Sequence, residues 1–245
     1  MSRGGRAEPA GSAIRLEGVT VELGGRAVLR DVTATIDAHR VAVIGANGSG
    51  KSTFARLLNG LVAPTSGRIV VHGLDVSRDG ARVRERVGFV FTNPDAQILM
   101  PTVAEDVALS LRGSGLSRSE TASRVRTALE RHGLAERADQ PAYSLSGGQK
   151  QLLALVSVLI RDPALVIADE PTTLLDLGNA RRIGDLLVRE VPAQTVIVTH
   201  DLELAGRCDV AVRFADGRLT EIGPPADLIA RYRAEFAETG REPGR

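Results

Sequence analysis

Short apolar runs rich in β-branched residues alternate along the chain with segments of helical spacing. Val41–Ile44, Leu165–Ala168 and Thr195–Thr199 are almost wholly apolar, which is typical of strands buried on both faces. Helical patterns follow the first run at Thr53–Asn59 and separate the other two runs at Leu175–Glu190. Buried strands alternating with helices predict an α/β fold with a mainly parallel core sheet flanked by helices.

A weaker alternation near the start of the chain predicts a second, smaller sheet. Ile14–Val21 alternates loosely, Gly24–Gly25 is a turn signal, and Ala27–Ile36 has strand composition. Gly67–His72 and Val87–Phe91 are further strand candidates. The pattern therefore favours a small antiparallel β subdomain beside the parallel core.

Between these strands the pattern becomes helical, from Thr102 to Arg137 and again over Leu145–Ile160. This predicts a helical insertion into the sheet. The expected organisation is a disordered N-terminal segment 1–13, one folded domain 14–233 with a helical subdomain at about 93–160, and a C-terminal tail 234–245.

Composition and charge exclude several classes of protein. The 245 residues include one cysteine, Cys208, so an internal disulfide is impossible, which suits a reducing cytosol. No apolar stretch approaches the roughly 18 residues of a membrane span, and Ser2–Ala13 lacks the apolar core of a secretion signal. The net charge of +1 argues against a nucleic-acid partner.

The segment GANGSGKS at residues 45–52 matches the phosphate-loop pattern G-x-x-x-x-G-K-[ST] and lies between a buried strand and a helix. Its glycines let several backbone N–H groups point at one phosphate, and the helix adds its positive end. Lys51 would reach the β- and γ-phosphates, and the Ser52 hydroxyl suits Mg²⁺. The candidate nucleotide-binding residues are Gly45, Ala46, Asn47, Gly48, Ser49, Gly50, Lys51, Ser52 and Thr53.

Two acids, Asp169 and Glu170, directly follow the apolar run Leu165–Ala168. Ligands of open parallel sheets lie beyond the carboxyl ends of the strands, so both acids should face the phosphate loop. Asp169 would hold Mg²⁺ through a water molecule, and Glu170 would act as the general base toward an attacking water. The alternative is that both acids only cap the next helix.

The segment LSGGQ begins the helix predicted at Leu145–Ile160. Ser146 and Gln149 form an S-x-x-Q capping box, which is a sufficient structural explanation for both. Gly147 and Gly148 weaken a first helical turn, however, so a need for bare backbone is indicated. A second anion site at this helix N-terminus is therefore expected from Ser146, Gly147, Gly148 and Gln149.

The order of these motifs resembles the ATP-binding subunits of ABC transporters, over residues 14–233. The resemblance implies a P-loop NTPase fold of the ABC ATPase type. It also implies that the protein hydrolyses ATP with Mg²⁺ as the cofactor. It further implies a head-to-tail dimer in which ATP lies between the phosphate loop of one chain and Ser146–Gly148 of the other. The second chain would be another copy or a paralogue.

The same resemblance assigns further residues. Asp176 matches a loop that passes between protomers, and His200 matches a histidine that contacts the γ-phosphate. The expected catalytic residues are thus Lys51, Glu170 and His200, and the expected metal residues are Ser52, Asp169 and Thr92.

Two positions depart from the pattern of the family. Thr92 replaces a glutamine that touches Mg²⁺, and Asn93 or Gln97 is an alternative substitute. No aromatic residue precedes Phe54, so adenine is expected on aliphatic side chains such as Leu23, or on Arg26, with weaker discrimination between ATP and GTP.

Residues 93–109, NPDAQILMPTVAEDVAL, resemble the N-P-D-x-Q…P-T-V-x-E-D-V-A run of energy-coupling-factor ATPases. This implies uptake of biotin or another vitamin, or of cobalt or nickel, from the cytoplasmic face of the cell membrane. Ile98, Leu99 and Met100 would line a groove for a helix of an integral membrane component. The alternative is a soluble ABC ATPase of the iron–sulfur assembly type, or one acting on nucleic acid or ribosomes.

Overall fold

Strands and helices alternate along most of the chain. The computed structural model describes residues 13–239, so almost all of the segment expected to be disordered, and residues 240–245, lie outside the described part. Within it the strands are β1 (Ile14–Leu23), β2 (Arg26–Ile36), β3 (Arg40–Gly45), β4 (Ser66–Val71), β5 (Leu74–Asp75), β6 (Val87–Val90), β7 (Leu165–Asp169), β8 (Gln194–Val198), β9 (Val210–Ala215) and β10 (Arg218–Gly223). The helices are α1 (Lys51–Leu58), α2 (Gly80–Arg86), α3 (Val103–Leu109), α4 (Arg118–Arg131), α5 (Gly147–Leu159), α6 (Leu177–Asp185), α7 (Leu202–Ala205) and α8 (Pro225–Thr239).

The strands form the two predicted sheets. The larger sheet has the order β10-β9-β3-β8-β7-β6, and all its neighbours are parallel except the β9–β10 hairpin. The smaller sheet has the order β2-β1-β4-β5 and is antiparallel. The α/β class with a small antiparallel sheet is therefore confirmed.

The parallel strands are buried on both faces because each face packs against a different core. In β3, Ala42 and Ile44 join the core shared with α5, whereas Val41 and Val43 join the core between the two sheets. Side chains of a strand alternate between faces, so one short apolar run serves both cores. This arrangement fixes the carboxyl ends of β3, β7 and β8 at one edge of the sheet.

The helical region is less continuous than the pattern predicts. Instead of one helical stretch from Thr102 to Arg137, α3 and α4 are separated by a turn in which Gly113 and Gly115 have φ of +80° and +78°. These left-handed conformations suit glycine and interrupt the helix.

The end of the chain also differs from the expectation. The boundary expected at 233 falls inside α8, which continues to Thr239. The hairpin β9–β10 and helix α8 are not among the elements predicted from the sequence. Over residues 13–239, no helix combines the length and the apolar character that a membrane crossing requires.

Candidate active site

The loop between β3 and α1 contains the predicted phosphate-binding residues. Its last glycine, Gly50, is the N-cap of α1 in a left-handed conformation. The ammonium of Lys51 is buried and donates to the carbonyl oxygens of Gly45 (2.7 Å) and Ala46 (2.8 Å). The hydroxyl of Ser49 is buried without a hydrogen-bond partner among the described residues. Donors thus converge on this loop at a helix N-terminus, which fits an anionic phosphate.

The three predicted metal residues form one hydrogen-bonded group. Ser52 Oγ donates to Asp169 Oδ1 over 2.9 Å, and Thr92 Oγ1 donates to the main-chain carbonyl of Asp169 over 2.8 Å. Asp169 is only 2% exposed, and this burial raises its pKa, although the hydrogen bond from Ser52 lowers it again. Hard oxygen atoms of this kind suit Mg²⁺.

Burial also affects the lysine beside these acids. Desolvation lowers the pKa of Lys51, while the negative charges of Glu170 and Asp169 raise it.

Within the described residues, no cluster of three or more His, Cys, Asp or Glu side chains could hold a metal ion. The two hydroxyls and one carboxylate that are present suit a cation that takes few protein ligands and keeps most of its water, as Mg²⁺ does.

Glu170 and His200 face each other at the ends of neighbouring strands. His200 Nδ1 lies 2.7 Å from Glu170 Oε2, and the hydroxyl of Thr173 donates to the same oxygen over 2.9 Å. Glu170 has φ of +53°, a conformation that non-glycine residues adopt rarely and that clusters at functional sites. Thr173 was not predicted as a site residue, and its position three residues after Glu170 was the available signal.

The segment after β6 shows which residue stands beside Asp169. Gln97 is turned inward, where Oε1 accepts from the amide of Phe91 and Nε2 donates to the carbonyl of Ala154. Asn93 caps the short turn Pro94–Ala96. Of the candidates considered from the sequence, the hydroxyl of Thr92 is the one bonded to Asp169.

The residues of the LSGGQ segment lie at the start of α5. The predicted capping box is present, since the amide of Ser146 donates to Gln149 Oε1 and the amide of Gln149 donates to Ser146 Oγ. Gly147 is exposed, whereas Gly148 is buried. Among the hydrogen bonds of residues 13–239, none joins this turn to the phosphate loop.

Asp176 is the N-cap of α6. Its Oδ1 accepts from the amide of Asn179 over 2.9 Å and its Oδ2 accepts from Asn179 Nδ2 over 2.6 Å, and these bonds lower the pKa of Asp176. Asn179 was not predicted as a functional residue, although the D-x-x-N spacing is typical of a helix cap.

The expected adenine position lies on the β1–β2 hairpin. Leu23 ends β1 and pairs with Arg26 at the start of β2, and the Leu23 side chain is exposed. An exposed aliphatic side chain and an arginine are thus paired at the position where the resemblance leads us to expect adenine.

A phosphate loop after β3, an acid pair at the end of β7 in the same parallel sheet and a separate glycine-containing helix N-terminus define the chain as an ATP-binding-cassette ATPase. The sequence matches the ABC transporter family over residues 29–173, and the chain belongs to that family. It is an ATP-binding, ATP-hydrolysing subunit of an ABC transporter, of the energy-coupling-factor type.

Two relatives support this assignment by sequence. The biotin transport ATP-binding protein BioM of Rhizobium etli is 44% identical over 220 residues, which cover 90% of this chain and 97% of the relative. The energy-coupling factor transporter ATP-binding protein EcfA1 of Lacticaseibacillus paracasei is 40% identical over 198 residues, covering 78% of this chain and 70% of that protein.

Two solved structures support it by fold. The first is cbiO1 from Clostridium perfringens, described as part of the ABC transporter complex cbiONQ; it has a TM-score of 0.80, 33% identity, and coverage of 94% of this chain and 95% of that one. The second is a dimeric post-hydrolysis state of the ATP-binding cassette MJ0796 bound to ADP and Pi, with a TM-score of 0.75, 29% identity, and coverage of 86% and 98%.

Proposed function

We propose that two subunits, either copies of this chain or one copy and a paralogue, assemble head to tail and enclose ATP between them. The observation that supports this is the separation of two anion-binding surfaces within one chain. The phosphate loop is at the N-terminus of α1 and the Ser146–Gln149 turn is at the N-terminus of α5, and within the described residues 13–239 no hydrogen bond joins them. Each surface would complete the site of the other subunit.

In this arrangement the residues of the phosphate loop, together with Thr53, hold the triphosphate of ATP, and Lys51 places a positive charge on it. Ser52, Asp169 and Thr92 would hold Mg²⁺, which supplies charge neutralisation to the phosphate oxygens when bound. Ser146, Gly147, Gly148 and Gln149 of the opposite subunit face the same triphosphate, and Asp176 lies at the boundary between subunits.

Glu170 is the proposed general base. Its Oε2 is fixed by His200 Nδ1 and by the Thr173 hydroxyl, which orients the carboxylate toward a water molecule. One proton moves from the attacking water to Glu170 as the water oxygen bonds to the γ-phosphorus, and the bond from that phosphorus to the bridging oxygen of ADP breaks, so that ADP is the leaving group. His200 holds the carboxylate and contacts the departing phosphate.

The substitution Glu170→Gln tests this arrangement. The amide keeps the size of the side chain but accepts no proton, so we expect ATP to bind, hydrolysis to fall at least about 100-fold, and an ATP-bound dimer to accumulate. Size-exclusion chromatography with light scattering measures the dimer, and phosphate release measures the rate. Glu136→Gln, at an exposed position of the helical region, is the control. Unchanged turnover in Glu170→Gln would exclude Glu170 as the base.

The proposed docking surface for an integral membrane component is a cavity of about 270 Å³ between the core and the helical region. The buried carboxylate of Asp106 accepts from the amides of Leu99 (2.8 Å) and Met100 (3.1 Å), so it fixes this segment at the rim. Leu99 is 72% exposed, and the buried Oδ1 of Asn59 in the cavity wall has no partner among the described residues. A rigidly held apolar side chain beside a cavity suits an inserted helix.

Docking is tested with membrane vesicles from the native cells, stripped of peripheral proteins. The wild-type chain should bind to the cytoplasmic face of these vesicles and Leu99→Asp should not. Ile222→Asp, at an exposed apolar position on β10, is the matched control and should bind. Equal binding of all three proteins would contradict this docking surface.

We further propose that the cargo is a micronutrient, with biotin favoured by the BioM relatives over another vitamin, cobalt or nickel. Cells that depend on this chain should take up labelled biotin, and Glu170→Gln should stop uptake. If the same cells instead take up cobalt or nickel, the cargo is the metal ion and not biotin.

A further inference from the structure

One of the two glycines at the start of α5 is in contact with another part of the same chain. A β-carbon added at Gly148 would lie 2.2 Å from Asn179 Cγ and 2.5 Å from both Nδ2 and Oδ1. Such distances are far below van der Waals contact, so the amide of Asn179 occupies the space that a side chain at 148 would need.

Gly147, the other glycine of this turn, has no such close contact. A β-carbon at Gly147 would meet only the carbonyl oxygen of Leu174, at 4.0 Å, which is an ordinary contact. Gly147 is exposed and Gly148 is buried. A side chain at 148 can therefore be accommodated only if the Asn179 amide moves, whereas the chain's own packing does not restrict position 147.

Asn179 also holds the loop before α6. Its main-chain N–H donates to Asp176 Oδ1, and its side-chain Nδ2 donates to Asp176 Oδ2. Any residue other than proline at 179 supplies the first bond, which is the helix cap. The second bond and the contact with Gly148 require the asparagine side chain, so this side chain is not needed for the cap itself.

We propose that Asn179 is a positioning residue that links the Ser146–Gln149 turn to the carboxylate of Asp176, so that the two surfaces this subunit presents to its partner move together. This inference rests on the proposed head-to-tail site, because only there do both surfaces meet the other subunit. A shift of the α5 N-terminus displaces the Asn179 amide, and the amide turns Asp176 with it.

Three variants test the link in the assembled transporter: Asn179→Ala, Gly148→Ala and the double variant. Asn179→Ala keeps the helix cap, so we expect an unchanged Tm, an unchanged KM for ATP, and a kcat lowered about threefold to tenfold. Gly148→Ala should lose at least about tenfold in kcat because its methyl group meets the amide. The double variant should recover to the rate of Asn179→Ala, since the methyl group then has room.

The variant Gly147→Glu tests the proposed head-to-tail site independently of the link through Asn179. A β-carbon at 147 meets only the carbonyl oxygen of Leu174, at an ordinary 4.0 Å, and an acid in the first turn of a helix is favourable, so the subunit should fold normally. If the composite site exists, its carboxylate opposes the triphosphate and hydrolysis stops. An unchanged rate in Gly147→Glu would overturn the composite site.

The link itself is overturned by either of two results. The first is that Gly148→Ala lowers kcat as much in the double variant as alone, while Gly147→Glu is inactive. In that case the nucleotide bound by the partner subunit, and not Asn179, excludes the methyl group. The other is an unchanged kcat in Asn179→Ala, which is informative even if Gly148→Ala fails to fold. Recovery in the double variant supports the link.

Discussion

Gly48 and Gly50 of the phosphate loop both have positive φ but differ in their surroundings, so the effect of conformation can be separated from the effect of packing. Gly48 has φ of +77°, and a β-carbon there would meet no atom within 4 Å. Gly50 has φ of +103°, and a β-carbon there would lie 2.7 Å from Leu29 Cδ2 and 3.0 Å from the carbonyl oxygen of Val28. Alanine at either position adds one methyl group to the same loop.

The two costs can be worked out separately. A non-glycine residue in the left-handed region costs about 1–2 kcal/mol, and this applies to both positions. A methyl group forced into filled space costs a further 1–3 kcal/mol or so, and this applies only to Gly50. We therefore expect Gly48→Ala to lower the free energy of unfolding by about 1–2 kcal/mol and Gly50→Ala by about 2–5 kcal/mol.

Urea unfolding without nucleotide, followed by circular dichroism, measures both values. Since the loss of unfolded-chain entropy is the same for both substitutions, it cancels in the comparison. Equal losses for the two variants would refute the argument, because the contact between the loop and β2 would then contribute nothing. A larger loss at Gly48 would refute it more strongly.

Three further predictions concern side chains outside the loop. Thr92→Val removes the hydroxyl bonded to Asp169, so kcat for ATP should fall about tenfold or more at unchanged nucleotide affinity, whereas Thr92→Ser should stay near wild type in a steady-state ATPase assay. Burial raises the pKa of the Cys208 thiol to about 12 from an ordinary value near 9, so the thiolate fraction at pH 8 is about 1000-fold smaller in the folded protein. Iodoacetamide should accordingly label the native protein about 1000-fold more slowly than the urea-unfolded protein, and equally rapid labelling without urea would contradict the burial. The ion pair of Lys150 with Asp95 (2.7 Å) is partly exposed, so a double-mutant cycle should give a coupling of at most about 1 kcal/mol that shrinks with salt.

Local sequence patterns were sufficient to place site residues where a strand is apolar throughout and polar residues follow it directly. In β7 the run Leu165–Ala168 is buried on both faces, so Asp169 and Glu170 could be placed at its end without any tertiary information. The same holds for β3 and the phosphate loop. At the other end of the large sheet the pattern was insufficient. In β9, Arg213 interrupts the apolar run, and it is buried because Glu221 and Glu235 neutralise its charge.

The orientation of a side chain could not be predicted from the sequence where its hydrogen-bond partner is a carbonyl group far along the chain. Gln97 was a candidate for the metal site, but its amide is turned to the carbonyl of Ala154 in α5 and to the amide of Phe91. The contact of Asn179 with Gly148 likewise joins residues of two helices that no spacing relates. Capping boxes, in contrast, are local, which is why the one formed by Ser146 could be predicted.

The register of two strands explains why the Glu170–His200 pair is built on the sheet rather than on a loop. Asp169 pairs with Val198 in the parallel ladder, so the next residue on each strand leaves the sheet at the same level. The amide of Glu170 donates to the carbonyl of Val198 over 2.9 Å, which holds Glu170 in its left-handed conformation. His200, two residues beyond Val198, then reaches the Glu170 carboxylate over 2.7 Å. A main-chain bond and a side-chain bond thus fix the same pair, and a slip of one residue between β7 and β8 would break both.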